Sequence, residues 1–202
     1  MLAPERADQL FRGFQQARIL VVGDFMLDEY IHGKVDRISP EAPVPIVVEQ
    51  NRRYLPGGAG NVVQNLGALG AEIYIAGQIG ADSDGERLKE LLLPRCRQAV
   101  FTTADRCTTR KTRILAGNQQ VCRLDSEKAG SLSERATREL TEFIESVRSR
   151  MDGIIISDYD KGVVSISLLD AILAEERAFV AVDPQIGHFP YYKKVSILTP
   201  NH

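Results

Sequence analysis

Two glycines and a side-chain amide stand close together in the segment Pro56-Gly57-Gly58-Ala59-Gly60-Asn61. Glycine lacks a Cβ, so Gly57 and Gly58 can adopt positive φ angles and bring backbone amides close to a hydroxyl or a phosphate. Apolar residues then recur at helical spacing, which predicts a helix whose first N–H groups have no partners within the helix. Such groups bind small polar ligands. The alternative is a tight turn that packs a helix on a sheet and leaves Asn61 facing solvent.

This glycine turn lacks the features of two common nucleotide-binding loops. No Lys-Ser or Lys-Thr pair follows it, as a P-loop requires, and its glycines do not have the spacing of a dinucleotide fold. We therefore expect Gly57, Gly58 and Asn61 to bind sugar hydroxyls rather than a triphosphate.

Two aspartates follow the apolar run Ile19-Leu20-Val21-Val22, which is predicted to be a buried strand. Ligands of open α/β sheets bind at the carboxyl ends of parallel strands, and Asp24 stands at such an end. A carboxylate in that place can accept hydrogen bonds from two sugar hydroxyls. Asp28 is expected to share this task if the intervening residues form a helical turn. The alternative for Asp24 is a helix cap or a turn, where aspartate is also common.

Two cations occupy alternate positions in Thr109-Arg110-Lys111-Thr112-Arg113. Alternate residues of a strand share a face, so Lys111 and Arg113 are predicted to converge on one side. A phosphate would suit this pair. The alternative is a solvated basic edge that discourages pairing with another strand.

Polar residues also follow two later strands. Asp158 and Lys161 come after the apolar run Ile154-Ile155-Ile156, and Asn201 follows a run near the end of the sequence. The carboxyl ends of parallel strands meet at one rim of a sheet, so these side chains are expected near the same ligand. Lys161 would neutralise a phosphate during its transfer. The alternative for this segment is a polar loop that a glycine ends.

The pattern of apolar residues places these positions in an α/β protein with a largely parallel sheet. Strands are predicted at 19–22, 72–77, 153–157, 179–182 and 195–198, and helices at 4–17, 84–93, 133–150 and 165–176. Residues 108–125 have the pattern of a hairpin, which is expected to join residues 29–50 in a small β flap beside the main sheet.

The composition limits the classes of partner. The chain has 202 residues, 44% of them hydrophobic, and a formal net charge of -2. It is typical of a globular protein and gives no reason to expect nucleic acid or a membrane as a partner. Three scattered cysteines and the lack of an apolar leader indicate a cytoplasmic protein with buried, unpaired thiols. The three histidines lack metal-ligand spacing, so no metal site is expected among them.

Taken in order, several segments resemble the ribokinase/PfkB family of carbohydrate kinases. Within that family they are most similar to the D-glycero-D-manno-heptose-7-phosphate kinase domain of ADP-heptose synthases. The segments are 21–28, 37–45, 56–61, 118–120, 123–125, 157–162 and 198–201. The resemblance implies a Rossmann-like α/β body with a β-sheet lid. We therefore expect a single partial ribokinase-like domain over 1–202, with lid segments at about 29–50 and 108–125.

The resemblance also implies an activity and its cofactors. Enzymes of this kind transfer a phosphoryl group from ATP, with Mg²⁺, to O1 of the heptose 7-phosphate, in the synthesis of ADP-heptose for the lipopolysaccharide core. The lid commonly joins two copies in this family, so a homodimer through the lid is expected.

The resemblance assigns roles to individual positions. By the resemblance, Asp24, Gly57, Gly58 and Asn61 would hold sugar hydroxyls. Asp28 and Asp158 are also expected to bind the substrate, because of their positions after predicted strands. Lys111 and Arg113 would bind the phosphate that the sugar already carries. Lys161 and Asn201 would lie toward the transferred phosphate and the nucleotide.

One family signature is missing from the sequence. It is a Gly-Ala-Gly-Asp turn that carries the catalytic base and the amides that stabilise the transferring phosphoryl group. We therefore expect a chain without the C-terminal nucleotide-binding portion and without a catalytic residue, which binds sugar phosphate better than it transfers phosphate. Two alternatives stay open: a non-catalytic module for sugar-phosphate binding or dimerisation, and a PfkB-type kinase for another sugar phosphate.

Overall fold

The computed structural model describes residues 3–104, 106–128, 130–174 and 179–200. One long strand, β1 (Arg18–Ile38), takes part in two sheets. The other strands are β2 (Pro45–Gly58), β3 (Glu72–Gly80), β4 (Gln98–Ala104), β5 (Arg110–Ala116), β6 (Gln119–Ser126), β7 (Gly153–Ser157), β8 (Val180–Asp183) and β9 (Ile197–Leu198). The helices are α1 (Pro4–Phe14), α2 (Ala59–Leu69), α3 (Ser83–Leu92), α4 (Glu134–Val147) and α5 (Ile166–Leu173), with short 3-10 segments at 93–95, 148–150 and 186–191.

The main sheet is parallel and has the strand order β4-β3-β1-β7-β8-β9. Its strands contribute apolar side chains to two cores. One core includes Leu140 and Ile144 of α4 and Leu168 of α5. The other includes Val63 of α2 and Leu88 of α3. This arrangement confirms the predicted α/β class, a mostly parallel sheet flanked by helices.

A second sheet, called the small sheet below, has the strand order β2-β1-β5-β6. In it β1 runs antiparallel to β2 and parallel to β5, and β5 and β6 form the predicted hairpin. Proline has no N–H for a β ladder, and Pro45 stands at the first position of β2, which pairs only with β1. The interpretation of this segment as peripheral to the main sheet is therefore confirmed.

Strand β1 is longer than the sequence indicated. The first strand was predicted to end before Asp24, but β1 leaves the main sheet there and continues, because its next residues pair with β2 and β5. Asp28 therefore lies on an extended strand. The helical turn expected between Asp24 and Asp28 is wrong.

The glycine turn lies at the end of a strand. Gly57 pairs with Met26 and Gly58 with Phe25, so β2 extends to Gly58 before α2 begins. The chain turns into the helix at Gly58, which has a φ of +55°. A Cβ at this position would lie 2.4 Å from the carbonyl oxygen of Asp24, so the approach of the two strands requires glycine. The predicted helix after the glycines is confirmed.

The predicted helices near 84–93 and 133–150 are confirmed as α3 and α4, and side chains cap both. Asp82 accepts a hydrogen bond from the N–H of Gly85, and Ser133 accepts one from the N–H of Ala136. The predicted helix 165–176 corresponds to α5, and residues 175 and 176 lie outside the described residues. Strand β4 was not predicted, because its mixture of polar and apolar residues gives no clear alternation.

One expectation about burial is wrong. The thiols were expected to be buried, but Cys107 and Cys122 are exposed, and only Cys96 is partly buried, where burial raises its pKa to about 11. The predicted first helix is confirmed as α1, and its Phe11 is 57% exposed. Within the described ranges, no helix has the length and the apolar character needed to cross a membrane.

Candidate functional site

A cleft of about 330 Å³ lies beside one face of the small sheet, at the N-terminal end of α2. Strand register explains which side chains enter it. Asp28 pairs with Lys111, and Tyr30 pairs with both Arg113 and Arg53, so these five residues share one face of three strands. All five line the cleft. The prediction that Lys111 and Arg113 lie on one side of their strand is confirmed.

Asp28 and Arg113 form an ion pair at the base of this group. Arg113 Nη1 donates to Asp28 Oδ1 at 2.6 Å, and its guanidinium carbon lies 5.2 Å from the centre of the Tyr30 ring. Burial works to lower the pKa of Arg113, but the hydrogen bond to Asp28 raises it overall. The Arg113 guanidinium therefore stays charged, and its hydrogen bond fixes the direction of the Asp28 carboxylate.

The other two cations of the cleft have no carboxylate partner. Within the described part of the chain, neither Arg53 nor Lys111 has an acidic side chain within ion-pair distance. Lys111 Nζ lies 5.6 Å from the centre of the Tyr159 ring, which forms another wall of the cleft. Three cations thus face one carboxylate, so the cleft attracts anions.

The glycine turn contributes to the opposite wall. Gly58 precedes the first residue of α2, and no side chain caps the N–H groups of that helix. Gly58 and Asn61 line the cleft, and Asn61 is exposed. A Cβ on Gly57 would lie 2.5 Å from Asp28 Oδ2, so any larger residue there would displace the carboxylate.

Asp24 is not among the residues that line this cleft. It is 2% exposed and its carboxylate accepts hydrogen bonds from the backbone N–H groups of Tyr159, Lys161 and Val163. Burial raises the pKa of Asp24, and these backbone hydrogen bonds act in the opposite direction. The structure thus separates Asp24 from Asp28, although the sequence suggested a shared role.

Asp158 also lies away from the cleft. It is 4% exposed and accepts a hydrogen bond at 2.5 Å from the hydroxyl of Tyr192. Its carboxylate also contacts His188 Nδ1 at 2.7 Å and the backbone N–H of Gln185 at 3.4 Å. Burial and the Asp158 hydrogen bond raise the pKa of Tyr192. These contacts join the end of β7 to the segment after β8.

The two positions predicted near the nucleotide are not brought to the cleft. Lys161 Nζ pairs with Glu127 Oε1 at 3.0 Å, and Lys161 borders a separate space of about 10 Å³, which has room for a water but not for a nucleotide. Asn201 lies outside the described residues. Among the residues that the structure does describe, no cluster of three His, Cys, Asp or Glu side chains could hold a metal ion.

Sequence reasoning missed four polar side chains of the cleft: Tyr30, Arg53, Gln64 and Tyr159. Gln64 follows Asn61 by three residues, so helical spacing could have placed it on the same face. Arg53 required the register between β1 and β2, which the sequence alone does not give.

Comparisons with known proteins agree on a single family. The sequence model of the pfkB family of carbohydrate kinases matches residues 16–201 of this chain. The chain is 41% identical over 199 residues to the bifunctional protein HldE of Pelobacter propionicus and 42% identical over 194 residues to that of Gluconobacter oxydans. These matches cover 96% and 93% of this chain but 41% and 40% of the relatives, so the chain spans about two fifths of their length.

Solved structures of similar fold come from the same kind of enzyme. The tetrameric inhibited form of phosphofructokinase-2 from Escherichia coli superposes with a TM-score of 0.69, at 19% identity, over 92% of this chain and 61% of that one. Arabidopsis thaliana ribokinase complexed with ribose and ATP gives a TM-score of 0.62, at 15% identity, over 92% and 60%. At these identities the likeness concerns the fold.

Proposed function

This chain belongs to the pfkB family of carbohydrate kinases, and from that premise we propose that it binds a phosphorylated sugar in the cleft of the small sheet. The observation that carries the proposal is the set of three cations, Arg53, Lys111 and Arg113, around one carboxylate, Asp28. A phosphate dianion would balance the two cations that have no acidic partner. The carboxylate and the Asn61 amide would bind hydroxyl groups of the sugar.

The proposed substrate is D-glycero-D-manno-heptose 7-phosphate, the substrate that the sequence resemblance implies. The similarity of about 40% to HldE proteins supports this choice over other sugar phosphates. The proposed reaction is phosphorylation at O1, with ATP and Mg²⁺ as cofactors, for the synthesis of ADP-heptose. No step of that transfer is assigned to the described residues.

We further propose that the small sheet acts as a lid and joins two copies of the chain. Its outer face, opposite the cleft, carries Ile114, Cys122 and Leu124, and Leu124 is 60% exposed. An apolar groove of about 440 Å³, lined in part by Val44 and Val47, borders this face. Two such faces packed together would remove apolar surface from water.

The proposed substrate class can be tested by calorimetric titration. The protein is titrated with D-glycero-D-manno-heptose 7-phosphate and, separately, with the same heptose without phosphate. We expect the phosphorylated sugar to bind at least about tenfold more tightly, because charge-assisted hydrogen bonds to the phosphate each contribute about 1.5–3 kcal/mol. Equal affinity for the two sugars would show that the cations do not recognise a phosphate. Fructose 6-phosphate serves as the comparison for another sugar phosphate.

A further inference from the structure

Asp24 holds the loop that connects β7 to α5. Its Oδ2 accepts from the backbone N–H of Tyr159 at 2.8 Å and of Lys161 at 3.1 Å, and its Oδ1 accepts from that of Val163 at 3.2 Å. The three donors are alternate residues of one loop. Both oxygens of the carboxylate are therefore engaged with the main chain of 159–163.

The other side of the same loop is held by Asp158. Its carboxylate accepts hydrogen bonds from the Tyr192 hydroxyl and the Gln185 N–H, and it contacts His188 Nδ1. It also accepts a hydrogen bond from the backbone N–H of Asp160 at 3.0 Å. Two buried carboxylates thus fix the loop, one from β1 and one from the loop itself. Because an unpaired buried N–H is costly, this geometry stays fixed only while both acceptors remain.

The loop carries one wall of the cleft. Tyr159 follows Asp158, donates its N–H to Asp24, and places its ring 5.6 Å from Lys111 Nζ. The position of that ring therefore depends on a carboxylate that does not itself line the cleft. Asp28, by contrast, lines the cleft, and 19% of its side chain is exposed.

We propose that Asp24 is a positioning residue, which fixes the loop 159–163 and through it the Tyr159 wall of the cleft, and that it does not itself contact the sugar, in contrast to the role that the proposed function gives Asp28. This inference rests on the proposed function for the identity of the ligand. The role of Asp24 itself rests on its burial and on its three hydrogen bonds to the backbone of the loop. It reverses the priority that the sequence gave to the two residues.

The test compares Asp24→Asn with Asp28→Asn, two identical changes on the same strand. Backbone hydrogen exchange of the peptide 158–164 is measured without ligand, and the affinity for D-glycero-D-manno-heptose 7-phosphate is measured by calorimetry. In Asp24→Asn, one carboxylate oxygen becomes an NH₂ group, which cannot accept from the loop. We expect exchange to accelerate about tenfold or more, as for the loss of one hydrogen bond to a charged group, and the affinity to fall with it. In Asp28→Asn, we expect lower affinity and unchanged exchange.

Two results would overturn the inference. One is unchanged exchange in Asp24→Asn, and the other is full retention of sugar-phosphate binding by Asp28→Asn. If Asp24→Asn fails to fold, the exchange of the Tyr159, Lys161 and Val163 amides is followed by NMR in the unaltered protein, where slow exchange without ligand is expected and fast exchange contradicts the inference. If the unaltered protein does not bind the heptose phosphate, the proposed function fails, and hydrogen exchange still decides whether Asp24 holds the loop.

Discussion

Charged residues are balanced differently on the two faces of the small sheet. On the outer face, Glu29 is 4% exposed and pairs with Arg52 at 2.9 Å and with Arg110 at 3.5 Å. Asp84 of α3 also pairs with Arg110, at 2.7 Å. Among the residues that line the cleft, Asp28 is the one carboxylate beside three cations. Arg123 and Asp125 lie on the same face outside the cleft lining and pair with each other. The excess positive charge therefore lies on the side that is open to a small ligand.

A substitution of Lys111 tests this distribution of charge. Lys111→Gln is expected to weaken binding of D-glycero-D-manno-heptose 7-phosphate about 10- to 100-fold, because a charge-assisted hydrogen bond to the phosphate is lost. Affinity for the unphosphorylated heptose should change little. Calorimetry at constant ionic strength provides both values.

Arg123→Gln is the matched control for that substitution. Arg123 pairs with Arg113 across β5 and β6, but its guanidinium is bound to Asp125 at 2.9 Å, and 51% of its side chain is exposed. Loss of this charge should leave the affinity for the sugar phosphate within about twofold. An equal loss in both variants would mean that only the overall charge of the sheet matters.

Strand alternation was enough to predict that Lys111 and Arg113 share a face, because it depends on local geometry alone. The same reasoning could not place Arg53 beside them. The pairing of β1 with β2 shifts between His32 and Gly33 and again between Val35 and Arg37, so the residue opposite Tyr30 depends on two irregularities between it and the connection of the strands. Likewise, nothing local distinguishes buried Asp24 from cleft-lining Asp28.

At the scale of whole elements, Asp82 connects α3 to the chain that enters β5. Its carboxylate accepts from the N–H of Gly85 at the start of α3, and from both the N–H and the hydroxyl of Thr108. Burial works to raise the pKa of Asp82, but the bonds from Thr108 and Gly85 lower it overall. The ionised form is therefore the one that stabilises this junction.

Asp82→Asn is expected to lower the free energy of unfolding by about 1–3 kcal/mol at pH 7, since a cap and bonds to a charged acceptor are weakened. The pKa of Asp82 is lower in the folded protein than in the unfolded one, where it is about 3.9, so ionised Asp82 stabilises the fold above that pH. This stabilisation is lost as the pH falls through the folded pKa. The difference between variant and unaltered protein should thus shrink below pH 4. Urea unfolding at pH 7 and at pH 3.5 measures both, and a constant difference would contradict the assignment.

The alternation of strands and helices predicted the body of the molecule well, because buried parallel strands are short apolar runs between amphipathic helices. It failed for β1, where Gly23-Asp24 resembles the end of a strand. The strand continues because β2 and β5 supply new partners for its backbone, and such long-range pairing leaves no local signal. One covalent strand consequently links the main sheet to the cleft.

At the scale of the whole molecule, the outer face of the small sheet is divided into a packed part and an open part. Near α3, Arg87 lies 4.0 Å from the centre of the Tyr54 ring, so this end is covered. Farther along, Leu124 and Val44, which lines the apolar groove, are 60% and 52% exposed. Apolar side chains grouped on one open face are typical of an interface. This division supports the proposed contact between two small sheets.

Leu124→Glu should prevent that association, because two-fold packing would bring each new carboxylate into an apolar contact without a partner. Light scattering after size-exclusion chromatography is expected to show a dimer for the unaltered protein and a monomer for the variant at the same concentration. The matched control is Leu93→Glu, since Leu93 is 46% exposed but belongs to the turn after α3. A monomer for the unaltered protein at high concentration, or a dimer for Leu124→Glu, would place the contact elsewhere or exclude it. Retention of sugar-phosphate binding by monomeric Leu124→Glu would further show that each chain builds its own cleft.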